Sequence, residues 1–336
     1  MAGEGGDDRN RERGAALVAA LMLVALMAAI SVQLVDLSRF AVFRTTAAMD
    51  RSGAYWAALG AREFAEGVVL ETARDEVLRS DLPWLSQPQV FPIERGSIRG
   101  RIRDGNNCLN INALAEHGGA GEDDGTGLGD VERARGMYDA LMRAIAAPPG
   151  PAQRLKAQII DWIDADTRPE PGGAEDDVYQ RFDPPYRAAN QRFSELEELL
   201  ALPEMTPGFY AAVSPWLCVR PTARQPALNI NTLSLDQAPL LAAAFSGRLA
   251  LPDAEAVLFR RPPRGYDAAE DFWADPLIAR MEIEGPERQG IAVSSRWFEM
   301  SVEVEQGAAV FALSQLAELT DGGALRRHRQ RFGPAS

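Results

Sequence analysis

The densest set of groups able to do chemistry lies between Asp161 and Tyr179. It reads Asp161-Trp162-Ile163-Asp164-Ala165-Asp166, then Thr167 to Gly173, then Ala174-Glu175-Asp176-Asp177-Val178-Tyr179. Two carboxylate groups flank a loop that holds Pro169, Pro171, Gly172 and Gly173. Up to six carboxylates thus come within a hairpin's reach. Hard oxygens at that density suit Ca²⁺, which takes about six to eight of them. The spacing is not that of an EF-hand. With Asp164 as the first ligand, Pro169 falls where the EF-hand turn needs Gly, and only Glu175 at the twelfth position fits. A solvated acidic loop is the simpler alternative, but bunched like charges repel unless a cation or an arginine neutralises them.

Other candidate groups are sparser. Glu122-Asp123-Asp124 sits in the Gly/Asp-rich loop His117 to Asp130 and is a weaker second cation site. Gly125, Gly127 and Gly129 follow no strand and precede no Lys, so they form neither a phosphate cradle nor a dinucleotide fingerprint. The chain has two histidines, His117 and His328, and no nucleophile motif positions either. No enzyme is expected. Leu196 to Tyr210 and Val257 to Phe272 resemble helix-hairpin-helix units. A net charge of −13 argues against phosphate binding through them, so they read as small packing modules with no nucleic-acid partner.

The elements that must position these groups follow from periodicity. Gln87 to Asp104 contains Ser97-Ile98-Arg99-Gly100-Arg101-Ile102-Arg103, an alternation of period two that predicts a strand. Cys108-Leu109-Asn110-Ile111-Asn112 is a second short strand after the Asp104 to Asn107 turn, and Leu228-Asn229-Ile230-Asn231-Thr232 echoes it. The residues after the two echoes share no fixed offset, which argues against a repeat array. Helices are expected over 131–147, 152–163 and 194–202, the last with Ser194 as N-cap and Glu197 completing a capping box. Trp216 to Arg220 reads as a return strand. Short helices follow over 235–246, 252–261 and 268–273. Residues 294–304 and 308–316 alternate as a closing hairpin around Gln306-Gly307. The tail, with Arg326, Arg327, Arg329 and Arg331, reads as disordered.

The N-terminal segment is the most specific. Arg9, Arg11 and Arg13 precede Gly14, and an apolar run extends from Ala15 to about Val35. About 20 such residues cross a bilayer as a helix, and the arginines keep the leader cytoplasmic. Helical spacing continues through Phe40, Phe43, Ala47, Ala54, Ala58, Ala61, Ala65 and Val68, with no proline before Pro83. One helix to about Leu78 is expected, softened at Gly53 and Gly60. Everything after Asp36 then lies on the exported side, where Cys108 and Cys218 can persist as a disulfide. A bridge between them would pin the ends of the helical region; two separate buried thiols are the alternative.

Arginines, Gly14 and then an apolar helix resemble the prepilin-type signal of type IV pilins and pseudopilins, which implies cleavage by prepilin peptidase to a chain starting at Ala15. Such subunits usually carry Glu at the fifth mature position. Here it is Ala19, which resembles the K-type minor pseudopilins of type II secretion. The run DWIDAD…GGAEDDVY…DPPYRAANQRFSELEEL and the flanking NCLNINAL and ALNINTL resemble that family too. The resemblance implies an α+β fold: a pilin-like long N-terminal helix packed on an antiparallel sheet, with a large inserted α-helical domain that binds calcium. It implies Asp164, Asp166, Glu175, Asp176 and Asp177 as ligands, with Asp161 and Asp183 as further candidates and backbone carbonyls around Arg168 to Gly173 completing the shell.

The expected organisation is a leader (1–14), a transmembrane and spine helix (15–80), a first part of the sheet (81–112) and an inserted helical domain (113–215). A second part of the sheet (216–318), with a short helical insert (233–285), precedes the basic tail (319–336). The implied role is that of a subunit at the tip of the periplasmic pseudopilus. Its implied partners are the I-, J- and H-type minor pseudopilins and the inner membrane, with the N-terminus cytoplasmic and the head periplasmic. A minor pilin of a surface fibre and a signal-anchored, metal-dependent periplasmic enzyme are the alternatives.

Overall fold

The computed structural model describes residues 7–73, 77–79, 81–116, 128–283 and 285–333. Helix α1 runs unbroken over Asp7–Thr72, 66 residues, or about 100 Å at the rise of an α-helix. Gly14 and Ala15 lie inside it. Every side chain from Ala15 to Thr45 is exposed, although this stretch is apolar enough to cross a membrane. From Asp50 onward the same helix buries a stripe of Asp50, Ala54, Ala58, Glu66 and Val69. Spacings of three, four and eight keep that stripe on one face.

After α1 come α2 (Pro83–Ser86), β1 (Gln89–Ile93), β2 (Gly96–Asp104) and β3 (Leu109–Asn110). The helical region holds α3 (Leu128–Ala144), α4 (Pro149–Ile163), α5 (Asp176–Tyr179) and α6 (Pro207–Val213), closed by β4 (Leu217–Cys218). A second lobe follows: β5 (Leu228–Asn229), α7 (Ala238–Ala244), α8 (Leu251–Arg260), α9 (Ala269–Trp273), α10 (Pro276–Ala279) and β6 (Ile291–Ala292). The chain ends on β7 (Trp297–Gln306), β8 (Ala309–Leu319) and β9 (Leu325–Phe332).

β1, β2, β7, β8 and β9 form one sheet in that order, antiparallel throughout. β2 and β7 are sheet neighbours, so everything between them is an insertion. Ile98, Ile102, Met300, Val302 and Val304 face α1, where Ala54 and Ala58 let helix and sheet approach closely. Gly53 is also a contact point, since a Cβ there would meet the Gln306 side chain at 2.5 Å. It does not interrupt α1. Asp50 accepts from Arg95 at 2.7 Å and stands against Gly307, whose φ of +56° and lack of Cβ let the β7–β8 turn close over it. One carboxylate thereby ties both hairpin turns to the spine.

The basic tail is not disordered. β9 pairs with β8 through most of its length, with a bulge where His328 is the extra residue opposite Leu316 and Ala317. A bulge flips the alternation of side chains. Arg327 therefore reaches α1, donating to Glu63 at 2.9 Å and to Glu66 at 2.6 Å. Arg329 and Arg331 instead project from the opposite face to Glu195 at 2.7 Å and Glu197 at 3.0 Å. Alternate basic residues look like a solvated run in sequence because their acidic partners lie far away along the chain. The sheet's second part thus extends past residue 318 to Phe332.

The helix expected over 194–202 also differs. It is a 3₁₀ turn over Leu196–Ala201. The Glu198 carboxylate accepts from the backbone N–H groups of both Ser194 and Glu195, which leaves Glu197 free to pair with Arg331. The return strand shortens to Leu217–Cys218. Cys108 and Cys218 are disulfide-bonded with Cα atoms 5.7 Å apart, at the bridge where β3 and β4 pair in parallel.

The two Asn-Ile-Asn segments do the same work twice. Each opens with a two-residue parallel bridge, β3 with β4 and β5 with β6. The first Asn accepts from the N–H two residues on, Asn110 from Asn112 and Asn229 from Asn231. The second Asn grips a distant residue by both backbone groups. Asn112 holds Phe193 at 2.9 and 2.8 Å, and Asn231 holds Tyr266 at 2.9 and 2.7 Å. All four asparagines are fully buried, and each amide meets backbone that would otherwise lack a partner. The echo is a duplicated anchoring loop without a repeat array behind it. Both lobes share a single apolar core, separate from the two small clusters between α1 and the sheet.

Candidate metal centre

α4 carries the first half of the acidic cluster. Pro149 sits at its first turn, where the missing N–H costs no hydrogen bond and the ring presets φ. Leu155, Ile159, Ile160, Trp162 and Ile163 are buried along it, and Trp162 packs on Tyr179 and Phe193 at 5.4 and 5.8 Å. That apolar anchoring fixes the helix end. Asp164 is its C-cap, extended in backbone, with its N–H donating to Ile160 O at 2.9 Å.

The loop folds back over Asp161, which is fully buried. One oxygen of its carboxylate accepts from Glu170 N–H at 2.9 Å and the other from Ala174 N–H at 2.7 Å. Gly173 has to be glycine, because a Cβ there would fall 1.8 Å from the Asp161 Oδ2. Gly172 beside it has a φ of +87°, a left-handed conformation that glycine adopts without strain. Asp161 is thus the loop's organiser.

Asp164, Asp166 and Glu175 are brought together, each offering a carboxylate oxygen within 4.8 Å of the others. Asp166 also accepts from Arg168 N–H at 2.7 Å, a local turn that holds it in place. Asp164 Oδ1 and Glu175 Oε1 are buried with no hydrogen-bond partner. Burying an unpaired acceptor is costly, and here two of them converge. Burial pushes the Glu175 carboxyl up to about 7, with the charges of Asp161, Asp164, Asp166 and Asp176 adding to it. Burial likewise raises Asp161 to about 6, against the two backbone donors that oppose the shift. Asp164 is raised by burial and then by Asp166. A divalent cation would relieve all of these at once, so the donor set fits a hard cation. Asp164, Asp166 and Glu175 are the residues that would hold it.

The other proposed ligands point elsewhere. Asp176 accepts from Ala188 N–H at 3.1 Å, and Asp177 pairs with Arg181 at 3.0 Å one helical turn on. Asp183 is exposed. The Glu122-Asp123-Asp124 site and His117 lie outside the described residues. Asp161 works as the loop's scaffold, a role that its place at the end of an apolar helix did not announce.

Comparison with known proteins agrees with this architecture. Two family models described as "Type II secretion system (T2SS), protein K" match residues 107–222 and 228–294. These ranges begin close to the two anchoring loops. The type II secretion system protein K of Pectobacterium carotovorum subsp. carotovorum is 33% identical over 93% of this chain and 94% of its own. That of Klebsiella pneumoniae is 30% identical over 92% of this chain and 93% of its own. Among solved structures, a chain of the GspK-GspI-GspJ complex from the enterotoxigenic Escherichia coli type 2 secretion system superposes with a TM-score of 0.72 at 26% identity, covering 87% of this chain and 100% of that one. With a spine helix, a sheet split by a two-lobed insertion and relatives alike over nearly their whole length, the chain belongs to the type II secretion system protein K family and is a minor pseudopilin of that system.

Proposed function

We propose that this minor pseudopilin occupies the tip of the periplasmic pseudopilus, beside I- and J-type subunits and with the H-type subunit next in the fibre. The observation that carries this reading is the division of α1. Its second half packs one face on the head, whereas Ala15 to Thr45 has every side chain exposed. An apolar helix of that length suits a lipid bilayer first and the helices of other subunits afterwards. The related complex contains GspI and GspJ, which supports those two as neighbours. Ala19 stands where pilin-like subunits carry a Glu that meets the N-terminal amine of the subunit above. A subunit with nothing above it has no such amine to neutralise, and the bulky insertion between β2 and β7 would block further stacking.

In this reading prepilin peptidase cuts after Gly14 and the mature chain starts at Ala15, with the head periplasmic and the anchor in the inner membrane. The work is mechanical, without a catalytic step. Co-expressed with the I- and J-type subunits of its own system, the chain should purify in a ternary complex, and mass spectrometry should find a mature N-terminus at Ala15. A chain still starting near Met1, or one that recovers neither partner, would overturn the assignment.

We also propose that Asp164, Asp166 and Glu175 hold Ca²⁺. The ion would neutralise the cluster and fix the loop between α4 and α5; the two unpartnered buried oxygens support this. The detergent-solubilised full chain should melt higher in millimolar Ca²⁺ than in chelator, with Mg²⁺ a poor substitute because it resists all-protein cages. Identical melting with and without chelator would leave a solvated acidic loop.

A further inference from the structure

The face of the sheet turned away from α1 meets the insertion across a polar trough. Two cavities of about 470 and 500 Å³ run together there, sharing Arg103, Asp104, Asn107 and Gln237. In a chain of net charge −13, the first cavity is lined by arginines that pair with no carboxylate among the described residues, whereas Arg220, Arg329 and Arg331 of the second are paired. Arg101 and Arg103 lie two residues apart on β2, hence on the same face. Among the described residues neither makes an ion pair, and the Arg101 Nε is buried with no acceptor. Arg261, across the first cavity, donates only to the carbonyls of Ile230 and Leu233.

Two of the acids nearby are already committed. Glu299 stands opposite Arg103 in the strand register, but its carboxylate is taken by the buried Arg220 at 3.0 Å. Asp104 accepts from Ser295 at 2.5 Å and from Thr232. Asp236 at the rim pairs with neither arginine. Burial lowers the Arg101 guanidinium from its ordinary value, and the Arg103 charge lowers it further. Two neighbouring cations without counter-ions weaken a fold, in the same way as the acidic cluster does. Arg99, on the same face, is by contrast paired with Glu303 at 3.4 Å.

We infer that this trough is a docking site for an extended acidic segment of a partner protein, with Arg101 and Arg103 each taking one of two carboxylates spaced two residues apart. Strand geometry sets the match. Residues i and i+2 of an extended chain are about 6.6 Å apart and share a face, on β2 and on the incoming segment alike. Arg is suited to the task because its planar fork binds carboxylate through two hydrogen bonds. The site is distinct from the calcium cluster, and it does not depend on the tip assignment.

The test uses the detergent-solubilised full chain with calcium present, and a fluorescein-labelled eight-residue peptide that alternates aspartate and threonine. Anisotropy should show saturable binding that weakens as salt is raised and screens the charges. Arg101→Gln and Arg103→Gln should each weaken binding about tenfold, the effect of losing a charged hydrogen bond. Arg99→Gln should leave it unchanged. A peptide with asparagine in place of aspartate should not bind, and one with its aspartates adjacent should bind more weakly. The double variant should melt no lower than wild type, since it removes a repulsion. Equal binding by wild type and double variant, binding of the asparagine peptide, or equal occupancy by inorganic phosphate would overturn the proposal. A marked fall in the double variant's melting temperature would do the same, by assigning the arginines to the fold.

Discussion

Asp161 and Glu175 hold protons more tightly in the folded chain than in the unfolded one, where carboxyls titrate near about 4. With folded values of about 6 and about 7, the native state keeps protons that the unfolded state has already released. In the absence of a cation, stability from these groups is therefore fully present below about pH 4 and is lost as pH rises toward 7. If the cluster binds calcium as proposed, the ion would take the place of the Glu175 proton, and the loss should be suppressed when it is bound. Urea unfolding in chelator should show the metal-free chain losing stability between about pH 5 and 7.5 relative to a Glu175→Gln variant. In millimolar Ca²⁺ the order should invert, with wild type the more stable. If the two chains keep the same difference at both pH values in chelator, the buried carboxylate does not titrate as described.

At the scale of elements, much was legible. Period-two alternation located β2, β7 and β8, and helical spacing located α1, α3, α4 and the short helices of the second lobe. Density of carboxylates located the cluster, but only folding decides which members converge. Asp176 and Asp177 begin a new helical turn and find partners on their own side of it. The miss at the C-terminus has another cause. Arg327, Arg329 and Arg331 recur at every second position, yet the residues between them, His328 and Gln330, are polar, so no apolar pattern marked them. The information lay in Glu63, Glu66, Glu195 and Glu197, more than a hundred residues away.

β9 is consequently an element held on α1 by charge. Glu66 is nearly buried and receives hydrogen bonds from Arg327 and from Gln315 at 2.7 Å. Arg327→Ala should cost about 1–3 kcal/mol, because it strands a buried carboxylate. Arg326→Ala, whose side chain is exposed, should stay within about 0.5 kcal/mol. Ala58→Leu is expected to act on the same packing from the apolar side, costing about 1–3 kcal/mol by forcing helix and sheet apart. Thermal unfolding of the three variants checks the ranking; an Arg327→Ala chain as stable as the Arg326→Ala chain would mean that β9 is merely laid on the surface.

The whole molecule is organised by where its cores lie. The clusters between α1 and the sheet are small, whereas the insertion owns one large core to which both lobes contribute, from Leu109 through Leu228 to Ile291. The disulfide sits at the neck of the first lobe only and closes 110 residues of sequence. The second lobe has no such bond; Asn229 donates to Ser295 at 2.8 Å in the corresponding place. A loop of that length contributes about 4–5 kcal/mol on the chain-entropy view. Because the core is shared, loosening the first lobe removes the surface on which α7 of the second lobe packs. Replacing Cys108 and Cys218 by serine should therefore speed amide hydrogen exchange through both lobes, β5 and α7 included. The β7–β8 ladder, held against α1 by its own clusters, should keep its protection. Faster exchange confined to residues between Cys108 and Cys218 would show instead that the lobes open independently, and that the duplicated loops anchor two folding units.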